Sequence, residues 1–263
     1  MLATITWSIS PEIFSLGPIH IRWYGLLFAT SFITGFKIME WVYKKENRPM
    51  DDLNDLIWYM ILGTVIGARL GHCLFYNPDF YLSNPFEIIK VWRGGLASHG
   101  AALGIFTALY YYSKKKKNQS FLWVADRVAI GVALAGFFIR TGNLFNSEIV
   151  GIPTDLPWGF IFTSVDNIPR HPAQLYEALF YLVSFIIIIL QYKKHEGKFK
   201  DGYLFGIFLI LIFGFRFFVE FFKKHQESFE QGMFLNMGQL LSIPLVLAGI
   251  YFLYNAMKKE ATS

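Results

Sequence analysis

Cysteine and charged side chains are scarce in this chain, and each shortage excludes a class of protein. Cys73 is the only cysteine among 263 residues, so a disulfide within the chain is excluded, and no Cys/His cluster has the spacing of a metal site. Only 16% of the residues are charged, whereas a soluble domain normally carries about a quarter. The N-terminus shows no basic region before an apolar stretch, so we expect no removable signal peptide.

Apolar residues make up the difference. They account for 54% of the chain, which includes 28 phenylalanines, and the mean hydropathy is +0.39. Long apolar runs of this kind predict an all-α integral membrane protein. The pI near 9.1 comes mostly from basic residues in short loops between these runs. That distribution indicates contact with the lipid bilayer and excludes nucleic acid as the expected partner.

Seven segments are long enough to span about 30 Å of hydrocarbon at about 1.5 Å per residue. We expect a single polytopic domain over residues 1–263. The approximate spans are 19–42, 53–76, 96–113, 121–142, 172–192, 202–222 and 235–257. The longest connections between them are 77–95 and 143–171, and long connections in a compact protein are more often functional than not.

Lysine and arginine in the connections predict the orientation. The loops after the first, third and fifth segments, with the C-terminal tail, contain thirteen: Lys44, Lys45, Arg48, Lys114–Lys117, Lys193, Lys194, Lys198, Lys200, Lys258 and Lys259. The opposite side contains five: Lys90, Arg93, Arg170, Lys223 and Lys224. The excess of positive charge on cytoplasmic loops then places the N-terminus outside and the C-terminus in the cytoplasm. Connections 77–95 and 143–171 become outer loops.

Polar residues within the spans gather near the outer face. Arg140 ends the fourth span and is followed by Asn143 and Glu148, while Arg216 and Glu220 lie toward the outer end of the sixth. An arginine at the centre of a membrane helix costs roughly 2.5–3.5 kcal/mol and usually faces protein or a polar ligand. A cation among hydrogen-bonding groups indicates an anion site at the outer membrane surface. A transporter or channel for an anionic solute, the alternative class, needs polar groups through the full depth.

Six segments in family order carry a resemblance. They are Ile21-Arg-Trp-Tyr-Gly25, Gly94-Gly-Leu-Ala-Ser-His-Gly100, Arg140-Thr-Gly-Asn-Leu-Phe-Asn-Ser-Glu148, Arg170-His-Pro-Ala-Gln-Leu-Tyr-Glu177, Phe213-Gly-Phe-Arg-Phe-Phe-Val-Glu-Phe221 and Gly238-Gln-Leu-Leu-Ser242. Along nearly its whole length the chain resembles the bacterial phosphatidylglycerol–prolipoprotein diacylglyceryl transferases.

The resemblance implies a reaction in lipoprotein biosynthesis. The diacylglyceryl group of phosphatidylglycerol moves to the lipobox cysteine thiol of a preprolipoprotein, which forms a thioether and releases glycerol 1-phosphate. It implies no metal or organic cofactor, and a place in the bacterial cytoplasmic membrane with the active site facing the outer leaflet. A membrane transporter or binding protein for an anionic lipid or solute is the alternative function. The oligomeric state is left open.

Two arginines are candidates for binding the phosphate of the lipid substrate. The planar guanidinium of Arg140 can bind it through several donors, or can instead reach lipid headgroups as an interfacial residue. Asn143 is expected to hydrogen-bond the headgroup, and Glu148 either orients this segment or is solvated. Arg216 and Glu220, four residues apart, share a helix face. They form either a structural ion pair or a site for the leaving phosphate, and Arg216 matches a catalytic position of the family.

Two further residues are candidates for catalysis. We expect His99 to act as the general base, because the reaction needs a proton acceptor near neutral pH. Its neighbour Gly100 leaves space for a bulky substrate. Thiolate formation driven by the arginines, without a histidine base, is the rival mechanism. Tyr24 could position phosphate or substrate, or belong to the aromatic belt at the membrane surface.

Four residues are expected to support the site. Gly142 lies between Arg140 and Asn143. His171, Gln174 and Glu177 form a polar cluster where the fifth span begins. His171 precedes Pro172, which suits the first helical position. Cys73 is expected to pack in the bundle, because the reacting thiol belongs to the substrate.

Overall fold

The computed structural model describes residues 4–17, 19–224 and 232–260. The chain is mostly helical, which confirms the predicted fold class. It divides into two compact units: the first comprises Met1–Ile38 with Asp126–Ser263, and the second Met39–Ala125. The single domain over residues 1–263 stays a prediction.

A long helix corresponds to each of the seven predicted spans, with ends that shift by a few residues. In chain order the helices are α1 Trp23–Lys45, α2 Met50–Phe75, α3 Pro78–Ser83, α4 Pro85–Ile88, α5 Ser98–Lys115, α6 Phe121–Phe145, α7 Ala173–His195, α8 Tyr203–Val219 and α9 Met237–Glu260. Short 3-10 turns cover Val91–Arg93 and Glu220–Phe222. The connection 77–95 is therefore largely helical in short pieces.

Six of the long helices are apolar and long enough to cross a membrane, among the residues described: α1, α2, α6, α7, α8 continued to Phe222, and α9 to Lys258. Helix α5 has 18 residues, about 27 Å at 1.5 Å per residue. Its sequence contains several glycines, tyrosines and hydroxyl side chains, which lower its hydropathy. A seventh span, and the orientation of the spans, stay predictions.

Short strands occur where only loops and helix were expected. Strand β2 (Glu12–Leu16) pairs antiparallel with β3 (Ile19–Arg22), so residues 19–22 are a strand and the first helix begins at Trp23. Strand β1 (Ile5–Trp7) pairs in parallel with β4 (Phe160–Phe162), which pairs antiparallel with β5 (Pro169–Arg170). The connection 143–171 is thus tied to the N-terminal segment through a small sheet.

Glycine contacts hold the second unit together. Gly63, Gly67 and Gly71 of α2 face Gly100 and Gly104 of α5. A Cβ atom at Gly67 would lie 2.8 Å from the Cα atom of Gly104, and one at Gly71 would lie 2.6 Å from that of Gly100. The two backbones approach this closely only because these positions have no side chain, as is common between membrane helices.

Arg69 of α2 organises the connection that precedes α5. Its buried guanidinium donates to the backbone oxygens of Glu87 (2.6 Å), Ile88 (2.8 Å), Gly94 (2.6 Å) and Gly95 (3.2 Å). Carbonyl oxygens that are not part of a regular ladder need such partners when they are shielded from water. Arg69 therefore binds the chain ahead of α5, as well as lying within the bundle.

A buried carboxylate fixes the start of α8 in the first unit. Asp126 of α6 accepts hydrogen bonds from the backbone N–H groups of Gly202 and Phe205, both at 2.7 Å. Helix N-termini leave such donors without partners inside the helix. The neighbouring Arg127 donates to the backbone oxygen of Gly197 at 3.1 Å. This pair of residues sets the position of α8 relative to α6.

Candidate active site

Arg140 is held by an ion pair to one helix and a hydrogen bond within its own helix. Near the end of α6, its Nε atom lies 3.2 Å from Oε2 of Glu177 on α7. Its Nη1 atom donates to Oδ1 of Asn143 at 3.3 Å. The Tyr181 hydroxyl is a further hydrogen-bond partner of Arg140. A guanidinium has five N–H donors, so donors remain for an anion beside these contacts.

The segment after Arg140 makes a tight turn stabilised by amide side chains. Nδ2 of Asn143 donates to Oε2 of Glu148 at 3.1 Å, and Nδ2 of Asn146 donates to Oε1 at 3.2 Å. The Gln174 side chain of α7 donates to the backbone oxygen of Glu148. Glu148 is exposed yet bonded at both carboxylate oxygens, so it orients the turn.

Backbone strain accompanies this turn. Ser147 and Ile149 adopt left-handed φ angles of 53° and 57°. For a β-branched residue such as isoleucine this region is a genuine outlier, and strain of this kind costs about 1–3 kcal/mol and concentrates at functional sites. The hydrogen bonds of Glu148 and Gln174 hold the turn in this conformation.

Glu177 shares its charge between two cations. It is fully buried, and its Oε1 atom lies 3.1 Å from Nζ of Lys223. The hydroxyl of Tyr181, one turn further along α7, donates to the same oxygen at 3.4 Å. Because Arg140 contacts the other oxygen, this one carboxylate joins the end of α6 to Lys223.

Glu220 repeats the arrangement for the second arginine. Its Oε1 atom lies 2.8 Å from Nζ of Lys223 and 3.7 Å from Nε of Arg216. Nδ2 of Asn236 donates to Oε2 at 3.2 Å. The expected helical pair of Arg216 and Glu220 is thus part of a larger set, which we name the charge cluster: Arg140, Glu177, Lys223, Glu220 and Arg216. With three cations and two carboxylates, its formal charge is +1.

The exposure of the cluster increases toward Arg216. The side chains of Glu177 and Lys223 are 0% and 3% exposed, whereas that of Arg140 is 13% and that of Arg216 is 34% exposed. The accessible positive charge therefore belongs to the two arginines. An arrangement of this kind can bind a phosphate through charge-assisted hydrogen bonds.

The comparisons with known proteins agree along nearly the whole chain. The family model described as prolipoprotein diacylglyceryl transferase matches residues 11–255. The chain belongs to the prolipoprotein diacylglyceryl transferase family. A phosphatidylglycerol–prolipoprotein diacylglyceryl transferase of Chloroherpeton thalassium is 52% identical over 255 residues, which cover 97% of this chain and 95% of that protein.

Other bacteria have similar relatives under the same name. The protein of Tolumonas auensis is 46% identical over a region that covers 97% of this chain and 98% of that protein. The protein of Bacteroides fragilis is 43% identical over a region that covers 99% of this chain and 98% of that protein. Membership of the diacylglyceryl transferase family therefore extends over the helices that carry the charge cluster.

Tyr24 lies beside the Arg140 segment in this family member. A Cβ atom at Gly142 would lie 2.8 Å from Cδ2 of the Tyr24 ring. The glycine is needed for this close approach, which brings the start of α1 against the end of α6. Tyr24 thus joins the group formed by Arg140, Asn143 and Glu148.

His99 and Gly100 belong to the second unit. His99 is the second residue of α5 and is exposed. Its ring centroid lies 5.6 Å from that of Phe75 and 5.7 Å from that of Tyr76. Gly100 packs on Gly71 of α2. The role of His99 as a base stays a prediction.

His171 supports the connection 143–171 and makes no ion pair with the charge cluster. Its Nδ1 atom lies 3.1 Å from the hydroxyl of Tyr176, and its ring packs against Phe222 at 5.0 Å between centroids. Burial lowers the pKa of His171 below its usual 6.5. Its backbone pairs with Gly151 and Ile152, which fixes the chain after the Glu148 turn.

Two members of the arrangement were missed in the sequence. Lys223 entered only as a loop charge, although it follows Glu220 by three residues, a spacing at which helical side chains meet. Asn236 is the second such residue. It forms a reciprocal capping pair with Gln239, since each accepts a hydrogen bond from the other's backbone N–H, at 2.9 and 3.0 Å. The Asn-x-x-Gln spacing was the available signal.

The described part of the chain holds no group of three or more His, Cys, Asp or Glu side chains able to bind a metal ion. The polar side chains that gather here are arginines, lysine, amides and ion-paired carboxylates. Such a set is suited to an anionic ligand.

Proposed function

We propose that this chain transfers the diacylglyceryl group of phosphatidylglycerol to the cysteine thiol of a preprolipoprotein lipobox, the first step of lipoprotein maturation. Family membership over residues 11–255 carries the proposal. The charge cluster supports it, because the substrate's phosphodiester is an anion at the surface of an apolar bilayer.

The arginines bind the substrate phosphate in this proposal. Arg140, positioned by Glu177 and Asn143, is assigned to the phosphate of the incoming lipid. Asn143 and Tyr24 contact the headgroup, and Glu148 holds their segment in place. Arg216, positioned by Glu220, stabilises the charge on the departing phosphate, which is the usual use of a preorganised cation in phosphate chemistry.

The substrate thiol displaces the phosphate at one carbon of the lipid. This is the carbon of the diacylglyceryl group that is bonded to the phosphate oxygen. A carbon–sulfur bond forms as the carbon–oxygen bond breaks, and the bonding pair leaves with glycerol 1-phosphate. The thiol proton passes to His99. Because a free thiol has a pKa near 8.5 and is mostly protonated at neutral pH, a base or a positive field is needed. The arginines alone supply that field in the rival mechanism.

The site belongs at the outer leaflet of the bacterial cytoplasmic membrane in this proposal. The distribution of lysine and arginine between the connections supports this placement. Lipid and lipobox peptide then meet where the substrate thiol emerges on the outer side.

A reconstitution assay tests the function. Purified protein in phosphatidylglycerol vesicles is incubated with a synthetic lipobox peptide, and the peptide is examined by mass spectrometry. We expect a mass gain of one diacylglyceryl unit on the cysteine. A peptide with serine in place of the cysteine, and vesicles of phosphatidylethanolamine, serve as controls. Absence of the mass gain in phosphatidylglycerol vesicles overturns the proposed transferase activity. Binding of phosphatidylglycerol without transfer would favour a lipid-binding protein instead.

A further inference from the structure

Lys223 is a buried cation at the centre of the charge cluster. Its side chain is 3% exposed and its Nζ atom lies 3.1 Å from Glu177 and 2.8 Å from Glu220. Each of these carboxylates also contacts one arginine. A buried charge is tolerated only when it is paired and hydrogen-bonded. Lys223 is therefore the electrostatic link between the two arginines.

The backbone of Lys223 is anchored to the turn that follows Arg140. Lys223 pairs with Gly151 as an isolated antiparallel bridge. On either side of it, the N–H of Ile152 donates to the oxygen of Phe222 at 2.9 Å, and the N–H of Lys224 donates to that of Val150 at 3.3 Å. The ammonium and the backbone of one residue thus connect the end of α8 to the connection after α6.

Removing the charge of Lys223 would change the contacts of the two arginines. Without the ammonium, Glu177 and Glu220 would each have one remaining cationic partner, namely Arg140 and Arg216. The buried carboxylate of Glu177 and the partly buried carboxylate of Glu220 would then draw both guanidinium groups inward, because an uncompensated buried charge is strongly unfavourable. The donors directed at an external anion would be lost.

We propose that Lys223 is a positioning residue for diacylglyceryl transfer: by neutralising Glu177 and Glu220 jointly, it leaves Arg140 and Arg216 free to bind the phosphate of the lipid substrate. This inference rests on the proposed function. Lys223 itself touches no substrate atom, and it acts through the two arginines.

Steady-state kinetics with a lipobox peptide and phosphatidylglycerol in mixed micelles test the inference. We expect Lys223→Met to raise KM for the lipid by about tenfold or more, because charge-assisted hydrogen bonds from the arginines are weakened, with a smaller fall in kcat. Lys223→Arg restores the cation with a different shape and should raise KM for the lipid clearly less than Lys223→Met does. Lys224→Met, at the exposed neighbouring lysine, is the matched control and should leave both constants unchanged.

A charge-restoring double variant separates electrostatics from packing. Lys223→Met with Glu220→Gln removes one cation and one carboxylate together. We expect it to bind the lipid better than Lys223→Met alone, since neighbouring residues of one ion-pair network are non-additive. If the change in KM of the double variant equals the product of the changes in the two single variants, the proposal is contradicted.

The pH dependence of KM for the lipid distinguishes the positioning role of Lys223 from a purely structural role. Burial lowers the pKa of the Lys223 ammonium below its ordinary 10.5, while Glu177 and Glu220 oppose this shift. The charged or titratable groups facing it are Glu177 and Tyr181 of α7, Arg140 of α6, and Arg216 and Glu220 at the end of α8. As pH rises through the lysine pKa the cation is lost, so KM for the lipid should rise in the wild type. Arginine stays charged, so Lys223→Arg should hold its KM to higher pH.

Each outcome decides between the two proposals. A wild type without transfer activity overturns the proposed function before Lys223 is tested. With an active wild type, an unchanged KM in a folded Lys223→Met, verified by its thermal unfolding in detergent, overturns the positioning role. Should that variant not fold, an identical alkaline rise of KM in wild type and Lys223→Arg overturns it.

Discussion

Arg140 depends on the shape of its side chain as well as on its charge. Its Nε atom forms an ion pair with Glu177, and its Nη1 atom donates a hydrogen bond to Asn143. A lysine ammonium is a compact charge without this planar fork. Different parts of the guanidinium are therefore held by different residues, which a lysine could not reproduce.

We expect Arg140→Lys to lower kcat/KM for phosphatidylglycerol by roughly 10- to 100-fold, since hydrogen bonds to charged groups contribute about 1.5–3 kcal/mol and about 1.4 kcal/mol corresponds to tenfold. The same assay on Arg93→Lys is the control, because the Arg93 side chain is 61% exposed and pairs with Glu87. Equal activity of Arg140→Lys and wild type would exclude the phosphate-binding role.

His99 is tested by its replacement with glutamine. A general base contributes about 100- to 10,000-fold, so His99→Gln should slow transfer by at least about 100-fold at neutral pH. The defect should narrow above about pH 8.5, where the substrate thiol ionises without help. The rate is measured with the lipobox peptide across this range. A rate equal to wild type at all pH values would leave the arginine-driven mechanism in place.

At the scale of elements, the pairing of α2 with α5 depends on glycine. A Cβ atom at Gly104 would lie 2.8 Å from the Cα atom of Gly67, and backbone atoms cannot move aside as a flexible side chain can. Gly104→Val should therefore destabilise the protein by about 1–3 kcal/mol, the usual cost of overpacking.

Thermal unfolding in detergent measures this effect. Gly214→Ala in α8 is the control, since a Cβ atom there meets nothing within 4 Å. It should be neutral or raise stability by about 0.4–1 kcal/mol, because alanine restricts the unfolded chain. Equal unfolding temperatures for Gly104→Val and wild type would show that the two helices can separate without cost.

Helices were more predictable than strands at this scale. Apolar runs located the long helices, because crossing a bilayer requires about 20 apolar residues. Strand β1 was missed because Ile5–Trp7 pairs with Phe160–Phe162, more than 150 residues away. Strands of three residues have no periodic pattern, and pairing over this distance is set by the tertiary fold. The local hairpin of β2 and β3 was missed because Ile19–Arg22 was assigned to the start of the first apolar span.

At the scale of the whole molecule, orientation in the membrane is the main prediction. The single cysteine, Cys73, is fully buried, so the chain suits labelling of introduced cysteines. In intact cells we expect Asp155→Cys to react with a membrane-impermeant maleimide, and Lys117→Cys to react only after lysis. Both positions are exposed. Labelling in the reverse pattern would invert the predicted topology.

The sequence by itself determined the membrane class, the long helices and the contacts that lie within one helix turn. Arg216 with Glu220 and Arg140 with Asn143 belong to this group, because 3.6 residues per turn bring such side chains together. The tertiary structure alone decided that Glu177 of α7 joins Arg140 to Lys223, which is 46 residues further along the chain. Local periodicity defines the faces of a helix, but the rotation and neighbours of each helix follow from packing and loop connections. For this reason Lys223 looked like a loop charge in the sequence and lies at the centre of the cluster in the fold.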